Sequence, residues 1–132
     1  MITKDYVSYG VAKLLKEKGF DEPIQYFYKF DSKELYRGTV FTNTQIGDKF
    51  YNAPTLQMAI KWLREVHRKW ITITFHWYTV DGETTLYYSP YIMLSEYENV
   101  VLEDKNPFKM KLFNSYEEAC ESAIKYCLEH LI

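Results

Sequence analysis

Apolar positions recur at helical spacing in three stretches of the chain. Val7, Val11, Leu14 and Leu15 form the first stripe, with Lys13, Lys16, Glu17 and Lys18 on the other side. Gly19 ends that helix, because a glycine just past the last turn, with Phe20 folding back onto it, makes a C-terminal cap; Pro23 marks the exit. The second stripe is Leu56, Ala59, Ile60, Leu63 and Val66, announced by Ala53-Pro54-Thr55, where Thr55 caps the first amides and Pro54 limits backward extension. In the third, Ser115 and Glu118 form a capping box ahead of Tyr116, Ala119, Cys120, Ala123, Ile124, Cys127, Leu128 and Leu131.

Alternation with period two predicts strands between these helices. Residues 24–30 place Ile24, Tyr26, Tyr28 and Phe30 on one side, and 35–41 form a second strand. Residues 42–52 carry Asn, Thr, Gly and Asp without periodicity and read as a loop. Residues 70–94 give the strongest local signal, two strand-like runs joined by Asp81-Gly82, which implies a type I′ hairpin turn. That turn pairs Val80 with Glu83, Tyr78 with Thr85, Trp77 with Leu86, His76 with Tyr87 and Phe75 with Tyr88. Ile71, Ile73, Phe75, Trp77, Leu86, Tyr88 and Ile92 then share a face expected to receive the helices; Thr72, Thr74, His76, Tyr78, Thr85, Tyr87, Ser89 and Tyr91 share the other. A strand or bend at 100–102, a turn at 104–107 and an edge strand at 108–113 complete the reading. The order predicts an α+β fold, a mainly antiparallel sheet with a central Asp-Gly hairpin and three helices on one face. Residues 1–132 form a single domain, as the length suggests.

Charge and composition narrow the function classes. Sixteen Lys and Arg against eighteen Asp and Glu argue against non-specific nucleic-acid binding, which relies on a strong basic excess. No apolar run approaches the length of a membrane span, so no membrane partner is expected. Cys120 and Cys127 lie on one helix face, about 10 Å apart along the axis and beyond disulfide reach, which suits buried thiols in a reducing, cytoplasmic setting. Thirteen tyrosines, eight phenylalanines and three tryptophans suit half-buried sheets, interfaces and stacking sites alike.

Catalytic and cofactor motifs are absent from the pattern. The glycines at 10, 19, 38, 47 and 82 are dispersed, so no phosphate loop forms; no CxxC or HxxxH spacing marks a metal site, and no cofactor is expected. Both cysteines sit on a buried helical stripe, and no serine sits in a nucleophile elbow. His67 and His130 fall at helix C-termini, where they favour the dipole. His76 differs, since the register gathers it with Thr74, Tyr78 and Tyr87 on one sheet face. Such a face is ordinary cross-strand stabilisation, a platform on which a planar ligand stacks, or a symmetric interface with a second copy. For a nucleotide-like ligand, Arg64, Arg68 and Lys69 are the basic candidates for phosphate. A nucleotide-acting enzyme with His76 or His67 as general base is the remaining class.

The segments APTLQMAIKWLREVH (53–67), the following ITITFHWY and SYEEACESAIKYCLEHLI (115–132), with the opening MITKDYVSYGVAKLLKEKGF, resemble small uncharacterised proteins of gut-bacterial phages, prophages and mobile elements. Residues 26–49 and 99–111 carry no such likeness. Trp62, Leu63, Arg64 and Glu65 are the recognisable motif, with Trp62 a packing residue and Arg64 and Glu65 a surface pair. The resemblance implies a non-enzymatic accessory protein in the cytoplasm of a bacterial host. It would be homo-oligomeric, and would sequester a nucleotide-type immune signal or block a host protein through the aromatic sheet face.

Overall fold

The computed structural model describes residues 5–93 and 111–132. Four α-helices and five strands are present among them: α1 (Tyr9–Glu17), β1 (Ile24–Lys29), β2 (Leu35–Phe41), α2 (Asn43–Ile46), β3 (Phe50–Asn52), α3 (Leu56–His67), β4 (Trp70–Val80), β5 (Glu83–Met93) and α4 (Tyr116–Tyr126). The last passes into a π-helical turn, Cys127–Leu131. The class is α+β, as the patterning predicts. The expected features at 100–102 and 104–107, and most of the edge strand at 108–113, lie outside the described residues.

Local signals act as their chemistry requires. Ser8 Oγ accepts from Val11 N–H at the start of α1, and Thr55 Oγ1 and Ser115 Oγ do the same at the starts of α3 and α4. At the end of α1, Gly19 takes φ 93°, Phe20 N–H donates to Leu15 C=O at 2.9 Å and Gly19 N–H to Lys16 C=O at 3.2 Å. This is a complete Schellman motif. It returns Phe20 to the core, where its ring meets Trp62 edge-on at 5.4 Å. That contact draws Trp62 into the buried face of α3. Val66, expected in the stripe, is 57% exposed.

The strands divide between two antiparallel sheets, one ordered β2-β1-β3 and the other β4-β5. The segment 42–52 supplies β3 to the first sheet and is structured where a loop was expected. Thr42 and Gln45 form a capping box around the single turn of α2, a short-range signal hidden by the lack of periodicity. Two buried asparagines then tie the segment down. Asn43 Nδ2 donates to Phe20 C=O at 2.8 Å, its Oδ1 accepts from Asn52 N–H at 2.9 Å, and Asn52 Nδ2 donates to Phe41 C=O at 2.6 Å. Each side chain satisfies backbone groups that a loop would leave to water.

α1, α3 and α4 bury their apolar stripes in one cluster with β1 and the base of the hairpin; Leu15, Phe20, Leu63, Ile92, Ile124 and Leu128 are among its members. Cys120 and Cys127 are buried in it as free thiols. Tyr28 crosses the core to donate its hydroxyl to Val7 C=O at 2.7 Å.

Asn43→Ala removes one donor and one acceptor and leaves Phe20 C=O and Asn52 N–H buried without partners. The expected loss is about 2 kcal/mol, measured by urea unfolding; an unchanged midpoint would show that the asparagine pair does not hold the segment.

Candidate functional site

β4 and β5 pair over their whole length in the register expected from the turn, from Trp70 with Met93 to Val80 with Glu83. Asp81 and Gly82 have φ of 52° and 80°, the two left-handed residues that a type I′ turn demands. Residues flanking such a turn exchange both backbone hydrogen bonds, so the phase of the whole ladder follows. Val80, Tyr78, His76, Thr74, Thr72 and Trp70 turn their N–H and C=O toward β5. Ile71, Ile73, Phe75, Trp77 and Thr79 turn theirs away. The same phase on β5 points Tyr88 outward, where it exchanges hydrogen bonds of 2.9 and 2.7 Å with Phe113. It also points Pro90 outward, which is where a residue without an N–H can sit in a ladder.

The hairpin outruns the body it stands on. Eleven residues of strand span roughly 37 Å, whereas the eleven residues of α4 span roughly 16 Å. Ile71, Ile73 and Ile92, at the base, join the core as expected. Phe75 and Trp77 do not: each is 62% exposed, against the expectation that they face the helices. α4 reaches the level of Phe75's cross-strand neighbour, where Tyr116 meets Tyr88 with ring centroids 6.1 Å apart, but covers neither side chain. Tyr78 is 47% and Val80 69% exposed on the opposite face, so the far half of the hairpin is an arm with apolar side chains on both sides.

On the second face the structure brings together Thr74, His76, Tyr78 and Tyr87. The Tyr78 and Tyr87 rings stand 5.8 Å apart and the His76 and Tyr78 rings 6.4 Å apart. Thr74 Oγ1 donates to Ser89 C=O at 3.1 Å and lies 3.3 Å from His76 Nε2. Which of the two atoms donates in the Thr74–His76 contact depends on the tautomer of the ring. The cluster sets the exposed His76 and Tyr78 rings beside the half-buried ring of Tyr87.

The basic candidates do not join it. Arg64 lies exposed on α3, Arg68 closes that helix in the left-handed region at φ 56°, and Lys69 leads into β4. From Lys69 to His76 the strand advances roughly 24 Å, further than an extended arginine or lysine reaches. A phosphate clamp from these three residues is not assembled around the imidazole.

A cleft of about 950 Å³ lies elsewhere, between the start of α1, the β1-β2 sheet and α4, lined in part by Tyr6, Tyr28, Leu35, Glu118 and Glu121. Sequence patterning does not find it, since its walls come together only through tertiary packing. Glu121 accepts from Ser8 N–H at 3.1 Å and from Ser8 Oγ, joining α4 to the cap of α1 across the chain. Burial pushes the Glu121 carboxyl up, and the two bonds from Ser8 oppose that rise. Burial also pushes the Cys120 thiol up to about 11 and the Cys127 thiol up to about 12, which leaves both protonated and unreactive at neutral pH. Among the described residues, no three His, Cys, Asp or Glu side chains are grouped to hold a metal, and no helix is long and apolar enough to cross a membrane. Compared with protein-family models, curated proteins and solved structures, the chain matches none.

His67 closes α3 and packs edge-on against Trp62 with ring centroids 4.6 Å apart, its Nε2 buried without a hydrogen-bond partner among the described residues. Burial lowers its pKa below the ordinary 6.5, and the Lys69 ammonium adds to the effect. The unfolded chain therefore binds this proton more readily than the folded one, so stability is retained above pH 6.5 and falls as the pH drops below it. His67→Phe keeps the ring contact and removes the titration. Urea midpoints of wild type and variant should diverge between pH 7.5 and pH 5, with the wild type losing more; parallel curves would remove this role.

Proposed function

We propose that this chain is a non-enzymatic binding protein whose recognition element is the projecting hairpin, and that its partner is another protein. One observation carries the reading: Phe75, Trp77, Tyr78 and Val80 stand out in solvent at the far half of the arm. Tryptophan and tyrosine are the residues in which interface binding energy concentrates, and they gain most when inserted into a partner's pocket. An arm with exposed rings on both faces fits a groove on another protein. It does not enclose a small molecule, because ligand sites are concave and bury most of the ligand's surface. The protonated thiols of Cys120 and Cys127 supply no nucleophile. The likeness to phage and mobile-element proteins gives the setting, an accessory protein in a bacterial host cytoplasm that blocks a host protein.

A second reading rests on the cluster of Thr74, His76, Tyr78 and Tyr87. Aromatic rings stack on a planar base at about 1–3 kcal/mol per base, and the His76 imidazole offers ring nitrogens that would orient it. A nucleotide-type signal held here needs a further wall from a second subunit, and phosphate contacts from somewhere other than Arg64, Arg68 and Lys69.

Two variants separate the readings. Trp77→Ala should abolish capture of a protein partner, verified by calorimetry with the purified pair, while leaving any thermal shift with a panel of cyclic and ADP-ribose-type nucleotides intact. His76→Ala combined with Tyr87→Ala should remove a nucleotide response. A Trp77→Ala protein that binds its partner with unchanged affinity overturns the first proposal.

A further inference from the structure

We propose that the outer edge of β4 pairs antiparallel with β4 of a second copy about a two-fold axis at Phe75, merging two hairpins into one four-stranded sheet. This goes beyond what the faces of the arm recognise, because it concerns its edge. The backbone N–H and C=O groups of Ile71, Ile73, Phe75, Trp77 and Thr79 point away from β5, and β4 pairs with no other described strand. Soluble proteins blunt such an edge with charged side chains, proline, glycine or a bulge. β4 carries none of these devices. Its sequence, WITITFHWYTV, has no charged residue, no proline and no glycine, and its register with β5 runs without a break. β5 by contrast has Glu83, Pro90 and the bridge from Phe113 to Tyr88.

The second copy is named by complementarity. A strand that meets itself antiparallel opposes like charges unless it is uncharged, and β4 is uncharged from Trp70 to Val80. Its flanks then decide the register. Arg68 and Lys69 precede the strand, and Asp81 and Glu83 follow it. Full overlap of β4 with itself places the axis at its midpoint, Phe75, and sets Lys69 of each copy beside Asp81 of the other. The hydrogen-bond phase agrees, because Phe75 is one of the residues whose backbone faces outward. Ile73 then pairs with the second copy's Trp77, Ile71 with its Thr79, and the two Phe75 rings meet at the axis. On the opposite face, His76 of each copy stands opposite Thr74 of the other.

Light scattering across a concentration series should give a dimer that dissociates on dilution. Phe75→Lys, at a position already in solvent, should yield a folded monomer by setting two ammonium groups against each other. Lys69→Glu and Asp81→Lys each oppose like charges at both ends of the interface and should each weaken the dimer roughly tenfold. Mixed together, the two variants restore opposite charges at both ends and should form a heterodimer of wild-type strength. Thermal melts of each variant alone establish that the fold is retained. A wild type that stays monomeric throughout the series overturns the pairing, and so does a mixture that associates no better than its components. The measurement uses no other protein or nucleotide, so it fails or holds separately from the proposed function.

Discussion

Two residues with positive φ, Asp81 and Gly82, set the terms for the exposed half of this molecule. A two-residue turn leaves no slack in the ladder, so its chemistry decides which side chains share a face and which backbone groups point outward. From that one constraint follow the meeting of His76 with Tyr87, the outward position of Pro90, the exchange between Tyr88 and Phe113, and the rim of Ile71, Ile73, Phe75, Trp77 and Thr79, which pairs with no other strand among the described residues. A shift of one residue would exchange the aromatic and hydroxyl-rich faces.

Much of the fold was legible because its signals are local. The Gly19-Phe20 cap, the Thr55 and Ser115 caps and the Asp-Gly turn each act within a few residues, and each appears where the sequence places it. The helical stripes were readable for the same reason, apart from Val66. Its exposure is a property of packing between distant segments, which periodicity does not report.

What patterning could not supply was extent. Alternation says that Phe75 and Trp77 lie on the same side as Ile71 and Ile73, but it does not say which of them the helices cover. The signal that bears on this is strand length: eleven residues in β4 and β5, against six and seven in β1 and β2. The segment 42–52 was missed for the opposite reason. α2 and β3 are too short for any period to register, and their order comes from Asn43 and Asn52, whose partners are backbone groups up to 23 residues away. The candidate site divides along the same line, since Thr74, His76, Tyr78 and Tyr87 are adjacent by register alone, whereas the position of Arg64 and Lys69 depends on the path between a helix and a strand.

Pro90 and Phe113 also bear on how far association by strand addition can go. A ribbon receptive along both rims could add neighbours without limit and grow toward a cross-β fibre. Here one rim is occupied by the chain's own Phe113 and interrupted by an imino acid that cannot donate. If two copies join through β4, stacking by this route would terminate at the first union, and an aromatic strand that would otherwise be an aggregation hazard would be confined to a closed, finite species.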